Sequence, residues 1–228
     1  MVSIQFLAHS FFKIQNGGGA VLVDPFIAGK SASNVKRLID CPCSEKQLKD
    51  ISAILITHEH FDHFDRELIE HIVARDNALV VAHDSVLNQL NISKRNVCPI
   101  NANGSVSVRG IKVKAFSAHH PQSFYPLSYL IEMDGQRIFH AGDTDTMEGF
   151  FETIKCDTAM LPIGGTMTMD LVDAVKTTKA IKPKIVIPMH YNTFSVIQVD
   201  PMEFKTRIEK TNLKTKVAIM NPGETLEL

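Results

Sequence analysis

The chain contains the stretch Thr57-His58-Glu59-His60-Phe61-Asp62-His63-Phe64, in which four potential metal ligands lie within six residues. Histidine and carboxylate side chains suit zinc, manganese or iron. The apolar run at 52–56 precedes this stretch and predicts a buried strand. Residues 65–73 begin with a capping aspartate, continue with helically spaced apolar residues and predict a helix. The stretch therefore falls on the loop at the carboxyl end of a strand, where α/β folds tend to place their chemistry.

The spacing of these ligands indicates how they could bind metal. His58 and His60 alternate, so both can face one side if strand geometry persists. Asp62 and His63 fall where the chain turns into the helix and could bind a second ion. The other interpretation is a polar turn with a chance group of histidines. The close spacing disfavours it in a chain that has ten histidines among 228 residues.

The composition is that of an ordinary globular protein with material for a sizeable core, since 44% of the residues are hydrophobic and 21% are charged. The formal net charge of -1 does not suggest a nucleic-acid binder, and we expect no nucleic-acid partner. The N-terminus lacks the basic and long apolar regions of a signal peptide and predicts a first strand. No apolar run is long enough to span a bilayer, so we expect a cytoplasmic protein without a membrane span.

The remaining pattern predicts a mixed α/β fold. Short antiparallel strands are followed by alternating strands and helices up to about residue 90, and a similar order recurs from about 105 to 228. Asp134-Gly135 suits a type I′ turn and predicts the clearest hairpin of the chain. A short helix is expected over 84–90, capped by Asp84. Residues 26–49 are either a mobile wall beside the pocket or a connecting loop with one short helix around 35–39. No linker divides the chain, so a single domain, 1–228, is expected.

Other candidate ligands follow other predicted strands. His119 and His120 come directly after one strand, and strand alternation points them to opposite sides. Asp143 follows Gly142 at the end of a second strand, and His190 ends a third. Gly142-Asp143 alone is a common turn, so Asp143 gains weight from the first motif.

His58-x-His60-x-Asp62-His63 after an apolar strand resembles the metallo-β-lactamase superfamily of metal-dependent hydrolases. The resemblance covers nearly the whole chain. It is closest to the small single-domain hydrolases that include ascorbate-phosphate lactonase-like and N-acylethanolamine phospholipase D-like proteins. It implies a four-layer αββα sandwich of two mixed sheets with helices outside. The segments that carry the closer resemblance are 24–26, 140–144, 161–164 and 188–192.

The resemblance also implies a dinuclear site with two divalent ions, zinc or manganese in the first place and iron as a further possibility. One ion would be bound by His58, His60 and His120, and the second by Asp62, His63 and His190. Asp143 would bridge the two ions. A metal-bound hydroxide would attack the substrate. Asp62 or Asp143 would act catalytically by moving the proton.

The function that follows is a metal-dependent hydrolase of a small ester, lactone or phosphodiester. The alternative is a non-catalytic metal-binding or regulatory domain on the same fold. A small-molecule substrate is the expected partner, and the oligomeric state is left open. An apolar wall of the pocket could come from the aromatic residues near the motif segments, which are Phe26, Phe61, Phe64, Phe124 and Tyr125.

Several residues keep two interpretations. His120 is expected as the ligand because it fits the family pattern, with His119 packed behind the site or against the loop around Phe124; a one-residue bulge would exchange them. Tyr191 and Asn192 are either oxyanion donors or structural. Three further features are ambiguous between a structural role and a role at the site or in metal or redox chemistry: His9, Asp24 and the Cys41-Pro42-Cys43 pair.

Overall fold

Two seven-stranded sheets pack face to face, and helices cover their outer faces. The computed structural model describes residues 1–27 and 35–228. The largest core joins apolar side chains of both sheets, and a second core lies between the first sheet and a helix outside it. The four-layer αββα sandwich expected from the sequence is therefore confirmed.

The first sheet begins antiparallel and ends parallel. Its strands are β1 (Ser3–Ala8), β2 (Phe11–Asn16), β3 (Gly19–Val23), β4 (Ile51–Leu55), β5 (Leu79–Ala82), β6 (Val97–Pro99) and β14 (Thr225–Glu227). Their spatial order is β14-β1-β2-β3-β4-β5-β6. Pairing is antiparallel from β14 to β3 and parallel from β3 to β6, which gives a mixed sheet. Both faces of β4 are buried, as its continuous apolar run predicts.

The second sheet repeats this arrangement. Its strands are β7 (Ser105–Val108), β8 (Ile111–Ser117), β9 (Leu127–Met133), β10 (Gln136–His140), β11 (Thr158–Pro162), β12 (Ile185–Met189) and β13 (Lys216–Val217). Their spatial order is β13-β12-β11-β10-β9-β8-β7. Pairing is antiparallel from β7 to β10 and parallel from β10 to β13. The expected order of antiparallel strands followed by βαβ units therefore occurs in both sheets.

The helices are short, and three of the four described are capped by aspartates. They are α1 (Arg66–Asp76), α2 (Asp84–Leu87), α3 (Leu171–Ile181) and α4 (Pro201–Glu209). Asp65, Asp170 and Asp200 cap α1, α3 and α4 by accepting hydrogen bonds from backbone N–H groups of the first turn. The apolar stripe of α1 packs on the first sheet. The described ranges hold no helix with the length and apolarity needed to cross a membrane.

The structure corrects three local predictions. Residues 35–39 form no helix; Arg37 instead pairs with Phe194 in an isolated bridge, and tertiary backbone pairing outweighs local helical spacing. Residues 28–34 of the same segment lie outside the described ranges. The helix expected over 84–90 ends at Leu87, and its cap is His83, whose Nδ1 accepts from the Ser85 backbone. The short strand β6 was not expected.

One edge of the sandwich collects the loops that carry the expected ligands. Strands β8, β10 and β12 run in the same direction, so their carboxyl ends lie at one edge of the second sheet. Two hydrogen bonds hold the end of β4 at that edge. The Leu127 N–H donates to the Thr57 carbonyl at 3.0 Å, and the buried Tyr129 hydroxyl donates to the Ile56 carbonyl at 2.8 Å.

Candidate metal centre

Loops from the two sheets bring together a group of side chains that we call the His/Asp cluster. It consists of the seven residues expected as ligands: His58, His60, Asp62, His63, His120, Asp143 and His190. The loop after β4 contributes the first four, and the loops after β8, β10 and β12 contribute one each. Most of the cluster is buried; only His60 and Asp62 are partly exposed. The cluster therefore opens to solvent on the side of the β4 loop.

Three histidines form one ligand group. His58 Nε2 lies 3.0 Å from His60 Nδ1, and His120 Nε2 lies 3.1 Å from the same His60 atom. These spacings are close to the edge, about 3.3 Å, of a tetrahedron of nitrogens bound to zinc at about 2.0–2.1 Å. A single His60 Nδ1 cannot form good hydrogen bonds with both neighbours, whereas one metal ion would satisfy all three nitrogens.

A buried carboxylate behind the cluster orients two of its histidines. Asp24 accepts hydrogen bonds from the Thr57 hydroxyl at 2.7 Å and from His63 Nδ1 at 2.8 Å. Because the Thr57 hydroxyl donates to Asp24, its oxygen accepts from His58 Nδ1, which lies 2.9 Å away. Both rings thus donate from Nδ1 and turn Nε2 toward the cluster. The neutral His58 presents a lone pair there, and His63 would present one on losing its second proton. Asp24 therefore orients two candidate ligands, which matches one of the two roles that the sequence left open.

Backbone carbonyls orient two further histidines in the same way. His120 Nδ1 lies 3.1 Å from the Met167 carbonyl, and His60 Nε2 lies 3.2 Å from the Gln122 carbonyl. A carbonyl oxygen only accepts, so these ring nitrogens donate. The nitrogens that face the cluster, His120 Nε2 and His60 Nδ1, are left with lone pairs.

Asp143 lies between the two ligand groups. Its Oδ1 is 3.2 Å from His63 Nε2, and its Oδ2 is 3.1 Å from His190 Nε2. The same Oδ2 is 3.9 Å from both His58 Nε2 and His120 Nε2. Within the described ranges, the buried atoms His63 Nε2 and Asp143 Oδ1 have no partner in hydrogen-bond geometry, although they are in contact. Unpaired buried polar atoms are costly, and a shared cation would satisfy both.

The turn after β10 places Asp143 in this position. Gly142 has a positive φ of 61°, and a Cβ atom there would lie 2.8 Å from the Leu127 carbonyl oxygen. Only glycine fits so close an approach without strain. The Gly142 N–H donates to His140 Nδ1 at 3.1 Å, and His140 Nε2 donates to the Ser10 carbonyl at 3.0 Å. His140 is therefore a buried structural histidine that supports the turn.

The protonation states of the cluster suit a cation. Burial, followed by the charge of His63, lowers the pKa of His58 well below its ordinary value. Burial would raise the pKa of Asp143, but the nearby His190 and His63 hold it well below its usual range. Burial would lower the pKa of His63, but Asp143 and Asp24 outweigh it and raise that pKa well above its ordinary value. A metal ion would have to displace the His63 proton, since only the neutral ring is a ligand.

The structure places His120, and not His119, in the cluster. The His119 side chain is exposed, and its backbone N–H donates to the Thr144 hydroxyl at 2.9 Å. The register expected from strand alternation therefore holds through Ala118. The expectation that His119 packs behind the site is wrong, because the chain leaves the sheet there and its side chain points to solvent.

His9 also belongs to the site, although the sequence left its role open. It is fully buried, and its Nε2 lies 3.1 Å from Asp62 Oδ2. Its ring is 4.1 Å from the ring of His190. Burial, followed by the charge of His190, lowers the pKa of His9 to about 4, so the neutral ring donates to Asp62. An irregularity in the β1–β2 pairing, with positive φ at Ala8 and His9, turns this side chain inward.

The remaining candidates lie in or beside the core. Asn192 exchanges two hydrogen bonds with the Val199 backbone, which gives its amide a structural role rather than that of an oxyanion donor. Tyr191 packs against the main core, and burial raises its pKa to about 12. Cys41 and Cys43 are half-buried thiols with their Sγ atoms 3.2 Å apart, and they belong to none of the metal-ligand groups in the described ranges.

The expected aromatic wall is only partly formed. Phe64 is buried in the core beneath α1, and Tyr125 stacks on His83. Phe26 is buried against His9, whereas Phe61 and Phe124 are exposed beside the cluster. Some of these five aromatic residues therefore belong to the core, and of the five only Phe61 and Phe124 expose large surfaces to solvent.

Comparisons with known proteins extend the similarity over the full chain. Residues 3–190 match the family model described as the beta-lactamase superfamily domain. UPF0173 metal-dependent hydrolases of Pyrococcus furiosus and Thermococcus onnurineus are 37% and 38% identical over 239 residues, which cover 100% of each chain. The structure of a metallo hydrolase from Ignicoccus hospitalis matches with a TM-score of 0.84 and 30% identity, over 100% of this chain and 99% of that chain. The similarity is thus not confined to the metal motif.

Proposed function

The chain belongs to the beta-lactamase superfamily and is a metal-dependent hydrolase, and we propose that it cleaves a small ester, lactone or phosphodiester at a dinuclear site. One ion would be bound by His58, His60 and His120. The other would be bound by Asp62, His63 and His190, with Asp143 between the two. We further propose that residues 1–228 act as one catalytic domain.

The inward orientation of the histidine lone pairs carries this proposal. Four rings donate their outer N–H to a fixed acceptor, which is a hydroxyl, a carboxylate or a backbone carbonyl. The inner nitrogens of His58, His60 and His120 converge with no proton between them, and His63 Nε2 faces Asp143. A hydrogen-bonded structural core would not leave such atoms unpaired, and metal sites characteristically do.

Asp62 and Asp143 have different tasks in this proposal. Asp143 is buried and uses both oxygens toward histidines, which suits a bridging ligand. Asp62 is partly exposed, and its Oδ2 is held by His9 Nε2. Burial would raise the pKa of Asp62, but the hydrogen bond from His9 and the charge of His63 hold it well below its usual range. Asp62 is therefore held as the anion at the opening of the cluster, the form that a metal ligand needs.

Divalent ions in this cluster would supply Lewis acidity and lower the pKa of the attacking water. Imidazole and carboxylate ligands are accepted by zinc and by manganese, which makes these two metals the candidates. The burial of most of the cluster, together with its one open side, would let a small molecule reach the ligands while limiting solvent.

The test combines metal analysis with hydrolysis assays. Protein purified without chelator should contain about two equivalents of zinc or manganese. It should hydrolyse members of a panel of p-nitrophenyl esters, lactones and bis(p-nitrophenyl) phosphate, and β-lactams should be poor substrates. Turnover should stop after chelation and return when the metal is restored.

Two results would contradict the proposal in different ways. A protein with full metal loading that leaves the whole ester, lactone and phosphodiester panel intact would contradict the substrate class. Metal that never exceeds one equivalent, in a protein that nevertheless turns over its substrate, would contradict the dinuclear site.

A further inference from the structure

An exposed apolar side chain, Phe61, lies at the open side of the His/Asp cluster. Phe61 lies between the two partly exposed members of the cluster, and its own side chain is 40% exposed. Its ring lies 5.9 Å from Phe194 and 6.1 Å from Phe26, centre to centre. Phe61 thus stands at the opening with one face on the core and the other toward solvent.

Other loops of the site add to this surface. In the described ranges eight large apolar side chains are exposed, and four of them lie on the loops that hold or orient the ligands. We call these four the apolar rim: Phe61, Phe124, Met167 and Val196, with exposed fractions of 40%, 79%, 58% and 52%. Exposed apolar side chains that gather at one place mark binding surfaces more often than scattered ones do.

Hydrogen bonds fix Phe124 and Met167 to segments of the cluster. Glu59, which lies between His58 and His60 in the chain, accepts from the Phe124 N–H at 2.8 Å and from the Ser123 hydroxyl at 2.9 Å. The position of Phe124 is therefore fixed to the metal motif itself. The exposure of this side chain does not result from a detached loop.

The other side of the rim is attached in the same way. Met167 presents its carbonyl to His120 Nδ1 at 3.1 Å and adopts a positive φ of 61° to do so. The neighbouring Thr166 hydroxyl donates to the Val196 carbonyl at 2.7 Å, which joins the two loops. A strained backbone at a non-glycine residue persists where the surrounding contacts hold it, often at functional sites.

The charges of the same loops point to the kind of ligand. The segments 58–64, 119–126, 164–169 and 190–197 contain no lysine or arginine. Their acidic residues are Glu59, whose two oxygens accept hydrogen bonds, and Asp62 in the cluster. Apart from metal ions, phosphate groups are usually bound by arginine, lysine or clustered N–H groups, and these four loops supply no cationic side chain. The neighbouring Arg37 has its guanidinium over the Phe26 ring, 4.4 Å from the ring centre.

We propose that the apolar rim binds the non-reacting part of the substrate, which is an alkyl or aryl group attached to an uncharged ester or lactone. The inference rests on the proposed hydrolase function and narrows it, because it favours carboxylic esters over phosphodiesters. The reacting carbonyl would reach the His/Asp cluster while the apolar group lies against Phe61, Phe124, Met167 and Val196.

The test compares p-nitrophenyl acetate, butyrate and hexanoate with bis(p-nitrophenyl) phosphate on the metal-loaded protein. A fully buried methylene is worth about fourfold in affinity, and a half-exposed rim should give about twofold per methylene. The value of kcat/KM should therefore rise on the order of tenfold from the acetate to the hexanoate ester, because KM falls. Phosphodiester cleavage should be slower than hexanoate cleavage.

Variants assign this preference to the rim. Phe61→Ala and Phe124→Ala should reduce the ratio of hexanoate to acetate kcat/KM, with metal content unchanged. Met202→Ala is the matched control, because Met202 is 53% exposed on α4, outside the four loops, and should leave the ratio unchanged. A second readout needs no turnover, because it uses the free carboxylate ions and not their p-nitrophenyl esters. Calorimetry should show that the hexanoate ion binds more tightly than the acetate ion, and Phe61→Ala should remove the difference.

The outcomes separate the two proposals. If fully loaded protein cleaves no ester, lactone or phosphodiester, the proposed function fails, and the calorimetric series still decides whether the rim binds alkyl groups. If esters are cleaved with no dependence on chain length, or if the phosphodiester is the best substrate, the function stands and the rim proposal is wrong. A loss of chain-length preference in Met202→Ala that equals the loss in Phe61→Ala would also overturn it.

Discussion

At the scale of single residues, the proton positions of the histidines decide what the site can do. The Asp24–Thr57–His58 and Asp24–His63 hydrogen bonds hold two rings in the tautomer that presents Nε2 to the cluster. Partners that orient metal-binding histidines in this way affect affinity almost as strongly as the ligands do. The residues behind the cluster are therefore part of the site.

The first prediction separates His120 from His119. His120→Ala should lose metal from the group that contains His58 and His60, because a three-nitrogen site cannot bind well with two. Its turnover should fall by at least about 100-fold. His119→Ala should keep its metal, because the His119 side chain is exposed and belongs to no ligand group in the described ranges.

Metal content by mass spectrometry and turnover should be measured for both variants, with circular dichroism as the folding control. Metal loss in His119→Ala beside full metal in His120→Ala would reverse the assignment. Equal losses in both would show that the loop around these residues matters as a unit.

Sequence alternation could separate His119 from His120, whereas it could not indicate the position of His9, for a physical reason. β8 pairs with β9 without a bulge through Ser117, so the two histidines that follow point to opposite sides, and only the family resemblance chose His120. In β1 the register shifts between Phe6 and Ala8, and His9 adopts a left-handed conformation. Such an irregularity depends on pairing with β2, which a local pattern does not reveal.

At the scale of elements, capped helices and strand ends were the predictable features. The expected N-caps of α1 and α3 are confirmed, because an aspartate before an apolar stripe satisfies free N–H groups wherever the helix packs. The helix considered around 35–39 does not form, since the backbone of this segment pairs with the 193–195 segment instead. Tertiary partners outweigh local preference in short segments.

The second prediction concerns the start of α3, directly after the loop that contains Met167. Asp170 accepts hydrogen bonds from the N–H groups of Val172 and Asp173 at 2.8 and 2.9 Å. Asp170→Ala should lower the free energy of unfolding by about 1 kcal/mol, since these N–H groups lose their acceptor. Urea denaturation followed by circular dichroism measures the change.

Asp173→Ala is the matched control in the same turn. Its side chain pairs only with the exposed Lys176 on the helix surface, and such pairs contribute little. The control should therefore lose less stability than Asp170→Ala. Equal losses would mean that the charge of the first turn, and not the cap, stabilises the helix.

At the scale of the whole molecule, the site lies between the two sheets. The first sheet supplies His58, His60, Asp62 and His63, and the second supplies His120, Asp143 and His190. Sequence periodicity alone predicted only a mixed α/β fold. The αββα sandwich was predicted from the resemblance to the metallo-β-lactamase superfamily. The last strand, β14, returns to pair with β1, a long-range pairing that no local pattern indicates.

Because the proposed ligands come from both sheets, metal should stabilise the whole fold. Binding to the folded state alone adds about 2.7 kcal/mol when free metal is 100 times the dissociation constant. For a chain of this size, that corresponds to an increase in Tm of about 5–10 °C over the chelated protein. Scanning calorimetry of loaded and chelated protein at one pH measures the difference.

The third prediction is that this metal-dependent increase in Tm grows with pH. Without metal, Asp143 and Asp24 raise the pKa of His63, despite its burial, well above its ordinary value. The protonated ring then stabilises the chelated fold below the unfolded-state pKa, and this contribution is lost as pH rises through the folded-state pKa. Metal needs the neutral ring, so its binding releases this proton and strengthens as pH rises. The difference in Tm between loaded and chelated protein should therefore be larger at pH 8 than at pH 6. If the difference in Tm shrinks over this range, metal binding does not displace the proton of His63, and His63 is not a ligand.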